Sequence, residues 1–166
     1  MRFVADGMLG KLTRWLRMLG HDVEYFNLLE DEELIKVAKS EQMILLTRDL
    51  RLYQKAATEG VKAHLVEGRT EHERLAELAR KYDFGLEIDV STSRCPKCNS
   101  RIKPVRKEEV MERIPESTSR FYNEFWECQN CGKIYWQGSH WKRIDQILSQ
   151  AKETLRKSKA SLSPRF

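Results

Sequence analysis

This sequence predicts an α/β fold: a small parallel sheet flanked by helices, followed by a metal-stapled ribbon and a short helix. Three observations carry that prediction. Through residues 1–90, apolar runs of strand length alternate with amphipathic helical stretches. All four cysteines come later, as the matched pairs Cys95-Pro-Lys-Cys98 and Cys128-Gln-Asn-Cys131. Charge divides at the same place, with 14 Lys and Arg against 17 Asp and Glu before residue 91, and 16 against 8 from there on.

Arg2–Ala5 reads as a first strand, and Met8–Leu19 as a helix with Leu9, Leu12, Leu16 and Leu19 on one face, stopped by Gly20. Val23–Phe26 is a second strand. Asp31 opens a helix over Glu32–Ser40, which carries Leu34, Ile35, Val37 and Ala38. Met43–Thr47 is apolar at alternate and intervening positions alike, as a central parallel strand buried on both faces should be. A helix over Leu50–Glu59, a strand over Val61–Val66 and a helix over Glu71–Tyr82 complete a β-α-β-α-β-α-β-α order, which demands crossover connections and a parallel sheet. Residues 86–94 form the joint between a unit of residues 1–90 and a unit of residues 91–166. The ribbon spans Arg94–Trp141, with Pro104, Pro115 and a charged stretch Lys107–Arg113 between its cysteine pairs. Residues 142–157 make a helix, and the basic, Ser-rich tail from Lys157 is expected to fray.

Two C-x-x-C pairs predict one tetrahedral site in which Cys95, Cys98, Cys128 and Cys131 bind a structural Zn²⁺ as thiolates. Four thiolates close the coordination sphere and leave no place for a reacting water. The longest aliphatic run, Met43-Ile44-Leu45-Leu46, falls far short of the ~20 residues of a spanning helix. Asp6 follows the N-terminus too closely for a secretory leader, so the expected location is cytoplasmic. A net −3 on the first unit joined to a net +8 on the second suggests that the second holds a polyanion, with nucleic acid the commonest such partner.

In a parallel sheet every strand-to-helix junction opens on one edge, where ligand sites gather. Asp6 follows the first strand, Asp31 lies in the turn after the second, and Asp49 follows the third. Three acids from separate junctions make the hard oxygen pocket that Mg²⁺ or Mn²⁺ selects. As plain structure, Asp31 and Asp49 would each cap a helix. Thr47 and Arg48 sit at the same edge, where a hydroxyl can orient a water at the metal and a guanidinium can meet the scissile phosphate. Lys11, Arg14 and Arg17, three apart on the first helix, form a basic stripe suited to phosphates, or else an ordinary solvent face. In the second unit Trp136 and Trp141, with Lys133, His140, Lys142 and Arg143 around them, combine aromatic faces and cations in the manner of single-strand binding surfaces.

The run from Asp6-Gly-Met-Leu-Gly to Gly20, with Asp31-Glu-Glu-Leu and Ile44-Leu-Leu-Thr-Arg-Asp49, resembles the Mut-seven C-terminal RNase family of PIN-like nucleases. Ser93-Arg-Cys-Pro-Lys-Cys-Asn99 and Cys128-Gln-Asn-Cys-Gly-Lys-Ile-Tyr-Trp-Gln-Gly-Ser-His-Trp141 resemble the zinc ribbon of the same family. The resemblance covers nearly the whole chain. It implies a PIN-like sheet and a metal-dependent ribonuclease whose acidic site is Asp6, Asp31 and Asp49, releasing 5′-phosphate and 3′-hydroxyl ends. PIN nucleases generally add a fourth acid from a later strand end, and here the nearest is Glu67. The substrate expected is RNA, single-stranded or with single-stranded regions, and no membrane partner is expected. A second expectation from another class is a non-catalytic RNA-binding adaptor with a vestigial acidic pocket.

Overall fold

The computed structural model describes residues 1–161. Strands β1 (Arg2–Ala5), β2 (Asp22–Tyr25), β3 (Ile44–Thr47) and β4 (Ala63–Leu65) form one parallel sheet in the order β2-β1-β3-β4. Helices α1 (Gly10–Met18), α2 (Asp31–Ser40), α3 (Leu50–Thr58) and α4 (Glu71–Tyr82) connect and follow them. The central strands alternate between two cores with the period of 2 that a pleat imposes. Phe3, Ala5 and Leu46 face α1 and α4, while Val4 and Leu45 face α2 and α3. This two-sided burial is why Ile44–Thr47 reads as a continuous apolar run.

Three boundaries shift from the expected ones, each for a local reason. The first helix does not start at Met8: Gly7–Leu9 is a 3₁₀ turn, capped by the Asp6 carboxylate accepting from the Met8 amide at 2.9 Å, and α1 proper starts at Gly10. The fourth strand is three residues rather than six, because it is an outer strand paired only with β3. Asp31 is the first residue of α2 and not its cap. That place belongs to Glu30, whose amide is held by the Glu33 carboxylate at 3.2 Å.

The segment between the cysteine pairs folds more fully than its prolines and charges suggested. β5 (Ile102–Val105), β6 (Phe125–Cys128) and β7 (Ile134–Tyr135) make an antiparallel sheet in that order. Pro104 sits in the outer strand β5, where a missing N–H is tolerated. Two short helices, α5 (Lys107–Val110) and α6 (Glu116–Phe121), bridge β5 to β6. Val110, Ile114 and Phe125 are the whole of this unit's separate buried apolar cluster.

The last helix, α7, runs from Trp141 to Ser161, past the expected end at residue 157. It packs along α4, and its buried residues Leu148 and Ala151 join the core of Leu75, Leu78 and Ala79. The expected frayed tail is therefore helical as far as Ser161, and its remainder, residues 162–166, lies outside the described residues. No helix among the described residues is long and apolar enough to cross a membrane.

At the joint, Gly20 ends α1 with φ +90, and a Cβ there would stand 3.2 Å from the Thr92 carbonyl oxygen, so only glycine lets the linker pass this closely. Behind it the Arg94 amide donates to Arg17 O at 2.9 Å and the Ser93 hydroxyl donates to Met18 O at 2.6 Å.

Candidate active site

The strand order β2-β1-β3-β4 reverses direction between β1 and β3, and the crevice at their carboxyl ends is where such sheets place ligands. Asp6 leaves β1 at that point and is 6% exposed. One of its oxygens accepts from the Met8 amide; the other accepts a short hydrogen bond from the Thr47 hydroxyl at the end of β3. The same hydroxyl accepts from the Asp49 amide at 2.9 Å, so Thr47 ties the two acids' segments together. Thr47 is fully buried, and its proton is committed to Asp6. Its hydroxyl thus bridges the Asp6 carboxylate and the Asp49 amide.

Asp49 caps α3: its Oδ1 accepts from the Arg51 and Leu52 amides at 2.7 and 3.2 Å. Its Oδ2 makes no hydrogen bond among the described residues, and the residue is exposed. Asp31 is exposed on the first turn of α2. The three acids thus share one edge, but they do not close on a common point. Among the described residues, only the four cysteines form a group of three or more potential ligands within 4.8 Å of one another.

Arg48 is half-buried and donates to Gly68 O at 3.4 Å, in the loop after β4. Glu67 in that loop is exposed, while its amide and that of Gly68 are held by Glu77. Burial opposes ionisation of Glu77, but His64 at 2.6 Å and the two amides outweigh it and hold its carboxyl below the usual range. The edge also carries an acid that sequence reasoning took only as a helix start. Glu71, in the first turn of α4, accepts from the Trp15 indole at 3.2 Å and pairs with Lys11 at 3.7 Å. Its sequence signal is the same as that of Asp31, an acid in the first turn after a strand end.

The proposed basic stripe on α1 divides. Lys11 and Arg14 are exposed, but Arg17 is buried and belongs to the joint. Its Nε and Nη2 donate to Val23 O at 3.0 and 2.7 Å, and its Nη1 donates to Pro96 O at 3.0 Å and Lys97 O at 3.3 Å. Burial lowers its pKa, with Glu24 and the nearby cysteines opposing. Periodicity alone could not separate it from Arg14, because the surface that buries it comes from a segment some eighty residues later.

At the other centre the Sγ atoms of Cys95 and Cys131 lie 3.7 Å apart, and those of Cys98 and Cys128 3.3 Å. A tetrahedral zinc with Zn–S of about 2.3 Å needs sulfurs about 3.8 Å apart, so the four fit that ion. Amides of Asn130 and Cys131 point at the Cys128 sulfur at 3.5 and 3.4 Å, and the Tyr135 hydroxyl meets the Cys95 sulfur at 3.0 Å. Burial opposes ionisation of Cys98, yet the Ser100 amide and its neighbours bring its pKa to about 6, while burial pushes Cys128 up to about 12. Four thiols this close cannot all ionise without a cation among them.

The ribbon's aromatics are partly used in packing. Trp136 is half-buried against Phe125, at 6.3 Å between ring centres, and Trp141 is half-buried at the start of α7. His140, Lys133, Lys142 and Arg143 are exposed. A cavity of about 170 Å³ opens between the ribbon and α7, walled by Trp126, Tyr135, Trp136 and Trp141 and edged by Arg94 and His140.

Compared with known families, the chain matches the Mut7-C RNAse domain over residues 1–148, through the ribbon and into α7. The chain belongs to that family. No curated protein and no solved structure gives a match.

Proposed function

We propose that this member of the Mut7-C RNAse domain family is a metal-dependent ribonuclease, cutting RNA phosphodiester bonds at the carboxyl edge of the parallel sheet. One observation carries the proposal: Asp6 is buried at the β1–β3 reversal, locked by the Thr47 hydroxyl, which also accepts from the Asp49 amide. A buried carboxylate facing a ligand crevice costs stability unless something there uses its charge.

Asp6 and Asp49 are the residues that would hold Mg²⁺ or Mn²⁺, with Asp31 on the first turn of α2 at the same edge. When bound, such an ion supplies Lewis-acid polarisation of the phosphate and activation of the attacking water. The chain's own residues do the rest. Thr47 fixes the Asp6 carboxylate in one orientation. Arg14 and Lys11 offer cations beside the acids, and Arg48 stands on the loop that borders them. Residues 1–90 act as the nuclease unit, and residues 91–166 act as a zinc-held RNA-binding unit whose last helix returns to the first core. Zinc in the four-cysteine site is structural.

A second reading, the non-catalytic RNA-binding adaptor, is favoured by the double duty of the acids, since Asp6 and Asp49 each cap a helical turn already. Cleavage of end-labelled RNA of mixed structure separates the two readings. Wild type with Mg²⁺ or Mn²⁺ should cut, and Asp6→Asn should abolish cutting while RNA affinity stays within a few-fold. The metal-free arm needs dialysis with zinc content checked, because a strong chelator would also strip the ribbon. Equal cutting by Asp6→Asn would remove the acidic site from the mechanism, and binding without any cutting would establish the adaptor.

A further inference from the structure

We propose that the concave face between α1 and the first cysteine turn is a phosphate-binding groove that leads an RNA strand from the acidic edge to the ribbon. This rests on the RNA reading above and assigns that RNA a path.

The groove has a volume of about 450 Å³. One wall is a single face of α1, with Gly10, Thr13, Arg14 and Arg17 at the i, i+3, i+4, i+7 spacing. The opposite wall is Pro96 and Lys97 of the first cysteine turn, with Lys133 from the second. Its near end lies at the active edge: Tyr25 lines it and donates its hydroxyl to Gly7 O at 3.0 Å, one residue beyond Asp6. From Gly10 to Arg17 the helix advances about 10 Å, enough to pass more than one phosphate.

Charge distinguishes this concavity from ordinary surface. No acid lines it. Arg14, Lys97 and Lys133 are exposed and make no ion pair among the described residues, whereas Lys11, Lys55 and Arg113 are each paired with a glutamate. Beneath them lies the buried Arg17 guanidinium, whose donors rest on neutral carbonyls and which also feels Glu24, Asp22 and the nearby cysteines. Cations of one sign around a concave wall focus the field and concentrate a polyanion. Lys133 is held in place over the Tyr135 ring at 5.6 Å. The Thr13 hydroxyl in the wall is buried without a hydrogen-bond partner, a polar group left over by the fold itself. The three free cations come from α1 and from both cysteine turns, so only the assembled, zinc-loaded protein presents them together.

The test uses zinc-loaded, full-length Asp6→Asn protein, which should bind without cutting, and a fluorescein-labelled single-stranded RNA followed by anisotropy across a NaCl series. Arg14→Ala, Lys97→Ala and Lys133→Ala added together should weaken binding at least about tenfold at low salt. They should also lower the slope of log Kd against log salt by about 2, at roughly 0.7 per phosphate contact. Lys36→Ala, Lys39→Ala and Lys62→Ala remove the same charge from another exposed surface and should leave the slope unchanged. The charge-keeping Lys97→Arg, Lys133→Arg pair should bind as the parent does, with equal melting temperature and zinc content throughout. An equal loss in both triple variants, or none in the groove variant, overturns the groove even if wild type cuts RNA. A slope change confined to the groove variant upholds it even if wild type proves to cut nothing.

Discussion

The two sheets of this molecule are held by opposite means. The parallel sheet lies between two extensive apolar clusters, with Phe3, Val4, Ala5, Leu45 and Leu46 all fully buried. The ribbon unit has a separate cluster of only three buried apolar residues, Val110, Ile114 and Phe125, and four thiols. Hydrophobic burial suffices for the first, while the second depends on a cation and on contacts across the joint. A fold of the first kind tolerates changes of solvent ions, and one of the second kind responds to metal supply.

Removing zinc should break the comparison furthest. The apparent contribution of a structural zinc is about 10 kcal/mol or more, so Cys98→Ser or zinc withdrawal should melt the ribbon. Near-ultraviolet circular dichroism from Trp126 and Trp136 should collapse, while amide exchange at Val4, Leu45 and Leu46 stays slow. Loss of protection in both halves at once would show that the parallel sheet does not stand alone.

Acid should separate the halves by a different route. His21 is packed between Phe3 and Phe84, and burial, with the nearby N-terminal ammonium, brings its pKa down to about 4 from 6.5. Between those values the unfolded chain binds a proton that the native one excludes, so this stability is present above pH 6.5 and is lost as pH falls toward 4. The loss amounts to about 3 kcal/mol at most. His21→Phe should flatten that limb of the melting profile of the parallel-sheet unit and leave the pH of zinc release unmoved. A profile unchanged by His21→Phe would assign the acid sensitivity elsewhere.

The smallest expected effect sharpens the comparison at the joint. Asn99 has φ +70, and its amide accepts from Val23 N at 3.0 Å and donates to Asp22 and Glu24 at 2.7 and 3.2 Å. Asn99→Gly keeps the backbone shape and removes those bonds, which should cost about 1–3 kcal/mol. It should leave zinc affinity nearly intact and widen the gap between the two unfolding transitions. A closer coincidence of the two would be the wrong sign for a coupling element.

The sequence made local features legible and left distant ones hidden. In residues 1–90 the order of strands and helices and the central apolar strands follow from periodicity, and the four-cysteine cluster follows from its two C-x-x-C pairs. Asp6 and Asp49 fall where strand ends put them. Thr47 looked available because its hydroxyl is polar and terminal, yet its proton goes to Asp6, 41 residues earlier in the chain. Arg17 looked like a surface cation because its partners are Val23 in the next strand and Pro96 and Lys97 in the ribbon, none of them on its own helix. Glu71 was passed over because a helix-starting acid is common, and only its contacts to Trp15 and Lys11 distinguish it.

The contacts of Val23 carry one more consequence. β2 is an outer strand of the parallel sheet, and such strands expose backbone groups on which another chain can template. Here the N–H of Val23 is taken by Asn99 and its C=O by Arg17, itself braced on the first cysteine turn. The ribbon thus guards the edge of the parallel sheet. A chain whose ribbon fails to fold would leave this sheet flank bare, open to pairing with another chain.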